Sequence, residues 1–354
     1  MKKKLLTLVA FLMCAMMAFA MTACGDSSSG DEEQAASGDV TTLRLALVNT
    51  EGTPIYEATK FFADRVDELS EGTLKIDLYP GGSLGDYTAT FTNMTEGTLD
   101  MCWDSVSSEY DKSLELAGAP YIVSNWAQVK EAYTTDSWLG KYIAERYQKL
   151  GVRVLGYTPG GFFVVAGNNV GDVDTLFDLD VKQNATCRIP PMDIYAKLVE
   201  ALNFNQTTVA YADLYTALQT GVADCWVGGG PSTNYENFRD VIKYCVCYNY
   251  ANEIYPLSIS EQTWEKLTED QQNILIQAGQ EATDNAYKIQ SEAEEGYYQK
   301  LKDAGIEVIT TDEETLAEIS QRVRDHAWPA LEETCGKEVV QELYDYADEL
   351  SKIQ

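Results

Sequence analysis

The sequence predicts an α/β protein built as two lobes that face a cleft. Strand-like and helix-like segments alternate from Leu43 to Val106 and again from Thr186 to Val227, the pattern of parallel-sheet units covered by helices. The pair Gly160-Gly161 reads as a break between the two runs. From Thr263 to Leu301 the chain reads as nearly unbroken helix, long for a globular domain and suited to lie along both lobes as a spine. A chain of 354 residues exceeds one small core and suits two domains.

The first element is a leader. Three lysines, Lys2 to Lys4, precede an apolar run from Leu5 to Ala20, and Met21-Thr22-Ala23-Cys24 follows. This is the layout of a secretory signal ending in a lipoprotein cleavage site. The run holds 16 residues, short of the ~20 that a membrane span requires. Residues 1–23 are expected to be removed, leaving Cys24 at the N-terminus to carry a diacylglycerol. Cys14 belongs to the apolar run. Residues 24–39 are polar, acidic and small after that cysteine, a disordered tether from lipid to folded body.

The first lobe begins with the alternating strand Leu43 to Val48. Pro54 opens an amphipathic helix to about Leu69, ended by Glu71-Gly72, and Leu74 to Leu78 is a second strand. A helix from Tyr87 to Thr95 stops at Gly97, and Leu99 to Val106 is a third strand. Periodicity, caps and breakers define these elements. In the second unit, Thr186 to Ile189, Thr208-Val209 and Ala223 to Val227 read as strands, and Met192 to Leu202 and Tyr211 to Thr220 as helices. Further helices occupy residues 312–351. Lobe 1 is expected to comprise 40–165 and 254–293, and lobe 2 to comprise 166–253 and 294–354.

Charge narrows the function. The leader contains three of 26 basic residues and none of 56 acidic ones, so the exported chain carries 23 basic against 56 acidic, a net −33. That balance argues against nucleic-acid binding, which needs basic surface, and leaves membrane attachment to the lipid. An acidic shell still accommodates one local cationic pocket, because distant charges are screened. Six cysteines follow Cys24 at irregular spacing, unlike a disulfide framework or a zinc pattern; most read as small buried apolar residues. The glycine clusters at 80–82 and 228–230 lack the lysine and spacing of phosphate loops. The single histidine, His326, lies in the C-terminal helices, and no GxSxG elbow occurs. No cofactor, metal or catalytic set is expected.

Several segments resemble one family. PGGSLGDYTATFTNMTEGTLDM (80–101), CRIPPMDIYAKLVEALNFNQTTVAYADLYTALQTGVADCW (187–226), DVIKYC (240–245), SISEQTWEKLTEDQQNILIQAGQEA (258–282) and GVRVLGY (151–157) are similar to the solute-binding proteins of TRAP transporters, the DctP-like family. The match runs from about 43 to 345 in order. Its most specific piece is YTALQTGVAD with Arg188-Ile189-Pro190 upstream. The resemblance implies a periplasmic-binding-protein-like fold, an organic acid held in the interlobe cleft, closure on binding, and delivery to a TRAP permease in the membrane. It implies a monomeric receptor, lipid-anchored on the extracytoplasmic face. An ABC-importer-type or sensor-coupled solute-binding lipoprotein is the alternative.

The site residues come with that resemblance. Arg188 occupies the position of the family's carboxylate-binding arginine, where a guanidinium can donate two parallel hydrogen bonds. Tyr211 and Trp226 would flank the ligand. Trp103 would close over it from the first lobe, with Tyr87 beside it, and Phe162 and Phe163 would follow from the glycine pair. Two family features are missing. Gly228 stands where the family often has an asparagine. FFVVAGNNV after Gly161 carries no arginine, leaving Asn168 or Asn169 as neutral substitutes. One cation with several aromatics points to a monocarboxylate with an apolar or aromatic body, because a second carboxylate would lack a partner.

Overall fold

A computed structural model of the chain describes residues 40–353. The expected leader, the lipidated Cys24 and the tether lie outside the described residues. Eleven strands occur among those described: β1 (Thr41–Ala46), β2 (Leu74–Tyr79), β3 (Met101–Trp103), β4 (Val152–Phe162), β5 (Val164–Gly167), β6 (Thr186–Ile189), β7 (Asn205–Thr208), β8 (Cys225–Gly229), β9 (Tyr244–Val246), β10 (Asn252–Ser260) and β11 (Glu307–Ile309). They form two sheets, ordered β2-β1-β3-β10-β4 and β11-β9-β5-β8-β6-β7. In the first, β1 runs parallel to β2 and β3, while β10 is antiparallel to β3 and β4. In the second, β6 is parallel to β7 and β8, and β5 is antiparallel to β8 and β9. The expected α/β architecture with two lobes is present.

Local chemistry explains the elements that the sequence foretells. The helix Pro54–Leu69 has Thr53 as N-cap, accepting from the Tyr56 N–H, and proline in its first turn. Its buried Ile55, Ala58, Phe62 and Val66 recur at helical spacing and meet Leu43, Leu45 and Leu74 of the sheet in one apolar core. The helix Tyr87–Thr95 starts on Asp86, whose side chain accepts from the Ala89 N–H.

The spine helix begins later than expected. It runs Glu269–Asp303, 35 residues or about 50 Å, after a separate short turn Glu261–Trp264. Thr268 forms a capping box with Gln271; satisfying those first N–H groups starts a new helix there. Backbone contact of helix and strand is close where the helix crosses β4. A Cβ on Gly156 would collide with Thr283 Oγ1 and lie 2.9 Å from the Gly279 carbonyl. Gly156→Val should therefore destabilise the fold by about 1–3 kcal/mol, read as a lower urea midpoint; an unchanged midpoint would show that helix and strand separate freely.

The two sheets are joined where single segments pass between them. Strand β4 belongs to the first sheet and β5 to the second, so the chain crosses at Phe163, before the expected boundary after residue 165. It returns between β9 and β10, before the boundary expected after 253. Gly160-Gly161 is not a break but lies inside β4; a Cβ on Gly160 would collide with the Tyr255 ring of β10, so the glycine serves packing. Glu294 of the spine helix pins this crossing, accepting from the Phe162 N–H and from Trp126 Nε1, both at 2.8 Å. The C-terminal helices do not sit on one lobe. Glu313–Ala327 packs on Asp193–Ala201, whereas Lys337–Leu350 packs on Trp126–Ala132. Among the described residues no helix is long and apolar enough to cross a membrane.

Candidate functional site

Between the sheets lies a cavity lined from both sides by polar and aromatic side chains. Val48, Asn49, Tyr87, Ser105, Glu253 and Tyr255 line it from the side of the first sheet. Arg188, Met192, Tyr195, Tyr211, Gly228 and Thr233 line it from the second. The walls touch beyond the cavity: Thr50 Oγ1 donates to Asn237 Oδ1 at 3.4 Å, and Asn237 Nδ2 donates to the Tyr211 hydroxyl at 3.3 Å.

Arg188 is the third residue of β6, paired with Thr207 of β7 and Trp226 of β8. Neighbouring strands and cavity walls leave it 2% exposed. Its Nε donates to the Val209 carbonyl at 2.8 Å, and one terminal nitrogen has no partner. Among the described residues no carboxylate oxygen comes within 4.0 Å of the guanidinium. Burial pulls its pKa down, against the influence of the Tyr87 and Tyr211 phenols. A buried charge with one hydrogen bond and no counter-ion is costly.

Tyr87 and Tyr211 both line the cavity with Arg188, as does Gly228. Burial raises the Tyr87 phenol and pushes Tyr211 up to about 12, so both remain neutral donors at physiological pH. Gly228 has φ +124°, and a Cβ there would lie 3.3 Å from the Trp226 ring and 3.8 Å from a terminal nitrogen of Arg188. The missing side chain therefore leaves space beside the guanidinium.

Four other expectations need correction. Trp226 does not line the cavity; it is 1% exposed, lies behind Tyr211 at 6.4 Å between ring centroids, and donates from Nε1 to Asn234. Trp103 lies in the core of the first lobe, fully buried, edge-on to Phe62 and donating to the Tyr255 carbonyl at 3.1 Å. The three-residue β3 aims it into the helix-covered face, whereas Ser105, past the strand end, reaches the cavity. Phe163 sits at the crossing, edge-on to Tyr250, and Phe162 packs on Trp126. Asn168 and Asn169 replace no cavity amide, since their backbone N–H groups bond the Asp224 carbonyl and Asn169 is exposed.

Glu253 is the main residue that sequence reasoning missed. It stands on β10 and lines the cavity. Burial pushes its pKa up to about 7, while Tyr255, Ser105 and Arg188 favour its ionised form. In the sequence it is one acid in the run ANEIYPLSIS, with nothing local to single it out among 56 acidic residues. Asp104 lies deeper, accepting from the Val48 N–H at 2.8 Å and from Thr90 at 3.2 Å. Those bonds tie the end of β1, and so Asn49, to the first lobe. Burial pushes Asp104 up to about 8. His326 pairs with Glu200 on the surface at 3.4 Å. The six cysteines within the described residues are free, five of them buried.

Comparison with known proteins agrees with this architecture. Residues 45–331 match the DctP family model, described as bacterial extracellular solute-binding protein, family 7. The sialic acid-binding periplasmic protein SiaP of Vibrio cholerae is 26% identical over 289 residues, 79% of this chain and 86% of that protein. The 2,3-diketo-L-gulonate-binding periplasmic protein YiaO of Escherichia coli is 25% identical, covering 80% of this chain and 86% of its own. The fold is also that of the sugar acid binding protein DctPAm of Advenella mimigardefordensis, solved with galactonate. That structure has a TM-score of 0.79 at 20% identity, over 88% of this chain and 99% of that one. A TRAP periplasmic solute binding protein of Sulfurospirillum deleyianum, solved with succinate, gives 0.77 at 21% identity, over 87% and 99%. With the family model spanning both lobes, the chain belongs to family 7 of the bacterial extracellular solute-binding proteins, the DctP-like, organic-acid-binding receptors of TRAP transporters.

Proposed function

We propose that this protein captures a monocarboxylate with an apolar or aromatic body and delivers it to a TRAP-type permease. It does so as a monomer held at the extracytoplasmic membrane face by a lipid on Cys24. The observation that carries the reading is the Arg188 guanidinium, 2% exposed with a terminal nitrogen unpaired beside the cavity. Tyr87, Tyr195 and Tyr211 supply ring faces for the ligand body, and their hydroxyls can orient its polar atoms. Organic acids named for the relatives agree with a carboxylate anchor. Arg188 is the one cation lining the cavity among the described residues, so a small dicarboxylate would leave its second charge unpaired.

Thermal-shift screening tests this. Aromatic and branched monocarboxylates, C4-dicarboxylates and sugar acids are each added well above the expected dissociation constant. A ligand held by the folded cavity stabilises by about 2.7 kcal/mol at 100 times its Kd, a rise of several degrees for a protein of this size. The monocarboxylates should give the largest rise. A dicarboxylate giving the largest rise would keep the receptor and sink the single-carboxylate reading.

A further inference from the structure

Glu253 is a cavity acid for which the carboxylate anchor has no use. It faces the cavity from β10, while Arg188 faces it from β6 on the other lobe. The two form no ion pair, because no carboxylate oxygen lies within 4.0 Å of the guanidinium among the described residues, although the charge of Arg188 favours ionised Glu253. Tyr87, Tyr195 and Tyr211 line the same space, and each phenol feels both charges. The cavity thus has a cationic wall, an anionic wall and aromatic rings in common.

We propose that Glu253 and the surrounding tyrosine rings form a cation-binding pole opposite Arg188. The ligand is then a zwitterion, with its carboxylate on Arg188 and a protonated amine or quaternary ammonium against Glu253. This rests on Arg188 as anchor and specifies the body of the monocarboxylate. A simple monoanion leaves Glu253 either charged without a partner or protonated. A dicarboxylate brings a second negative charge toward it. A zwitterion matches both walls, and ring faces attract cations, most of all where water is excluded.

The pole is sensitive to pH. A cation favours ionised Glu253, whose pKa burial raises to about 7. Below that pH, binding must expel a proton, so affinity for a zwitterion falls by up to about tenfold per pH unit. The other charged or titratable groups coupled to Glu253 are Arg188, Asp104, Tyr87, Tyr133, Tyr195, Tyr211, Tyr250 and Tyr255. The tyrosines are all raised and stay neutral below pH 9. Asp104, at about 8, is the second group that titrates in the working range.

Calorimetric titration of the full-length protein at pH 6 and pH 8 tests the proposal. The probes are the standard amino acids and glycine betaine, each against its deaminated or uncharged isostere, with galactonate and succinate alongside. The expected result is a zwitterion that binds about 100-fold more tightly than its isostere at pH 8 and more weakly at pH 6. Glu253→Gln should remove that preference and flatten the pH dependence, while the isostere binds the variant more tightly than the parent because the unpartnered acid is gone. A pH dependence that persists in Glu253→Gln belongs to Asp104 and overturns the assignment. So does an isostere, galactonate or succinate that binds as tightly as any zwitterion, or a panel in which no zwitterion binds. Arg188→Met separates the two readings: zwitterion binding that survives it removes the carboxylate anchor, whereas an isostere that binds the parent as tightly as any zwitterion and is lost in Arg188→Met keeps the anchor without the cation pole.

Discussion

Arg188→Met should abolish ligand binding and leave the unliganded protein at least as stable as the parent. On the proposed reading the two effects have opposite signs, because the desolvated guanidinium meets its partner only in the complex. It makes one hydrogen bond, to the Val209 carbonyl, and keeps one terminal nitrogen unpaired. Replacing a buried charge by an apolar chain of similar volume is neutral or stabilising by about 1–4 kcal/mol. Loss of the Val209 bond offsets this by about 1 kcal/mol. On the binding side, removing one partner of a buried charge pair costs about 2–5 kcal/mol, or roughly 30- to 5,000-fold in Kd. Urea unfolding and calorimetric titration on the same preparation check both halves. A variant that unfolds several kcal/mol more easily yet still binds would make Arg188 a structural residue.

Trp103→Ala should cost about 3–5 kcal/mol of stability, the range for deleting a large aromatic side chain from a core. The ring is fully buried, edge-on to Phe62 at 6.1 Å between centroids, and its Nε1 holds the Tyr255 carbonyl. Trp103→Phe keeps most of the packing and loses the hydrogen bond, a loss of about 1–3 kcal/mol, and ligand affinity should stay within about threefold of the parent because the ring does not line the cavity. A Trp103→Phe variant that folds normally but loses binding as Arg188→Met does would return Trp103 to the ligand.

These two residues mark the limits of reading the site from sequence. Arg188 stood out as a candidate because the family motif surrounds it and because one arginine near the end of a strand, just before Pro190-Pro191, is a distinctive local arrangement. Trp103 was misplaced by the same resemblance. The strand β3 ends at Trp103, whose ring is buried in the core of the first lobe, and the chain beyond the strand end brings Ser105 to the cavity. Glu253 was invisible because nothing within its own strand distinguishes an acid facing a ligand from one facing water. Its meaning comes from Arg188, 65 positions earlier in the chain.

The sequence by itself determined those elements whose causes are local. Thr53 and Pro54 start a helix wherever the chain goes, Asp86 caps the next one, and alternation sets the strands, because capping bonds and periodic burial involve residues a few positions apart. Tertiary structure alone decided the start of the spine helix as a separate element, the crossing of the lobes at Phe163, the burial of Trp103, and the facing of Glu253 and Arg188 across one cavity. Each of these depends on contacts between residues far apart in the chain, and burial and electrostatic environment follow from what packs around a group.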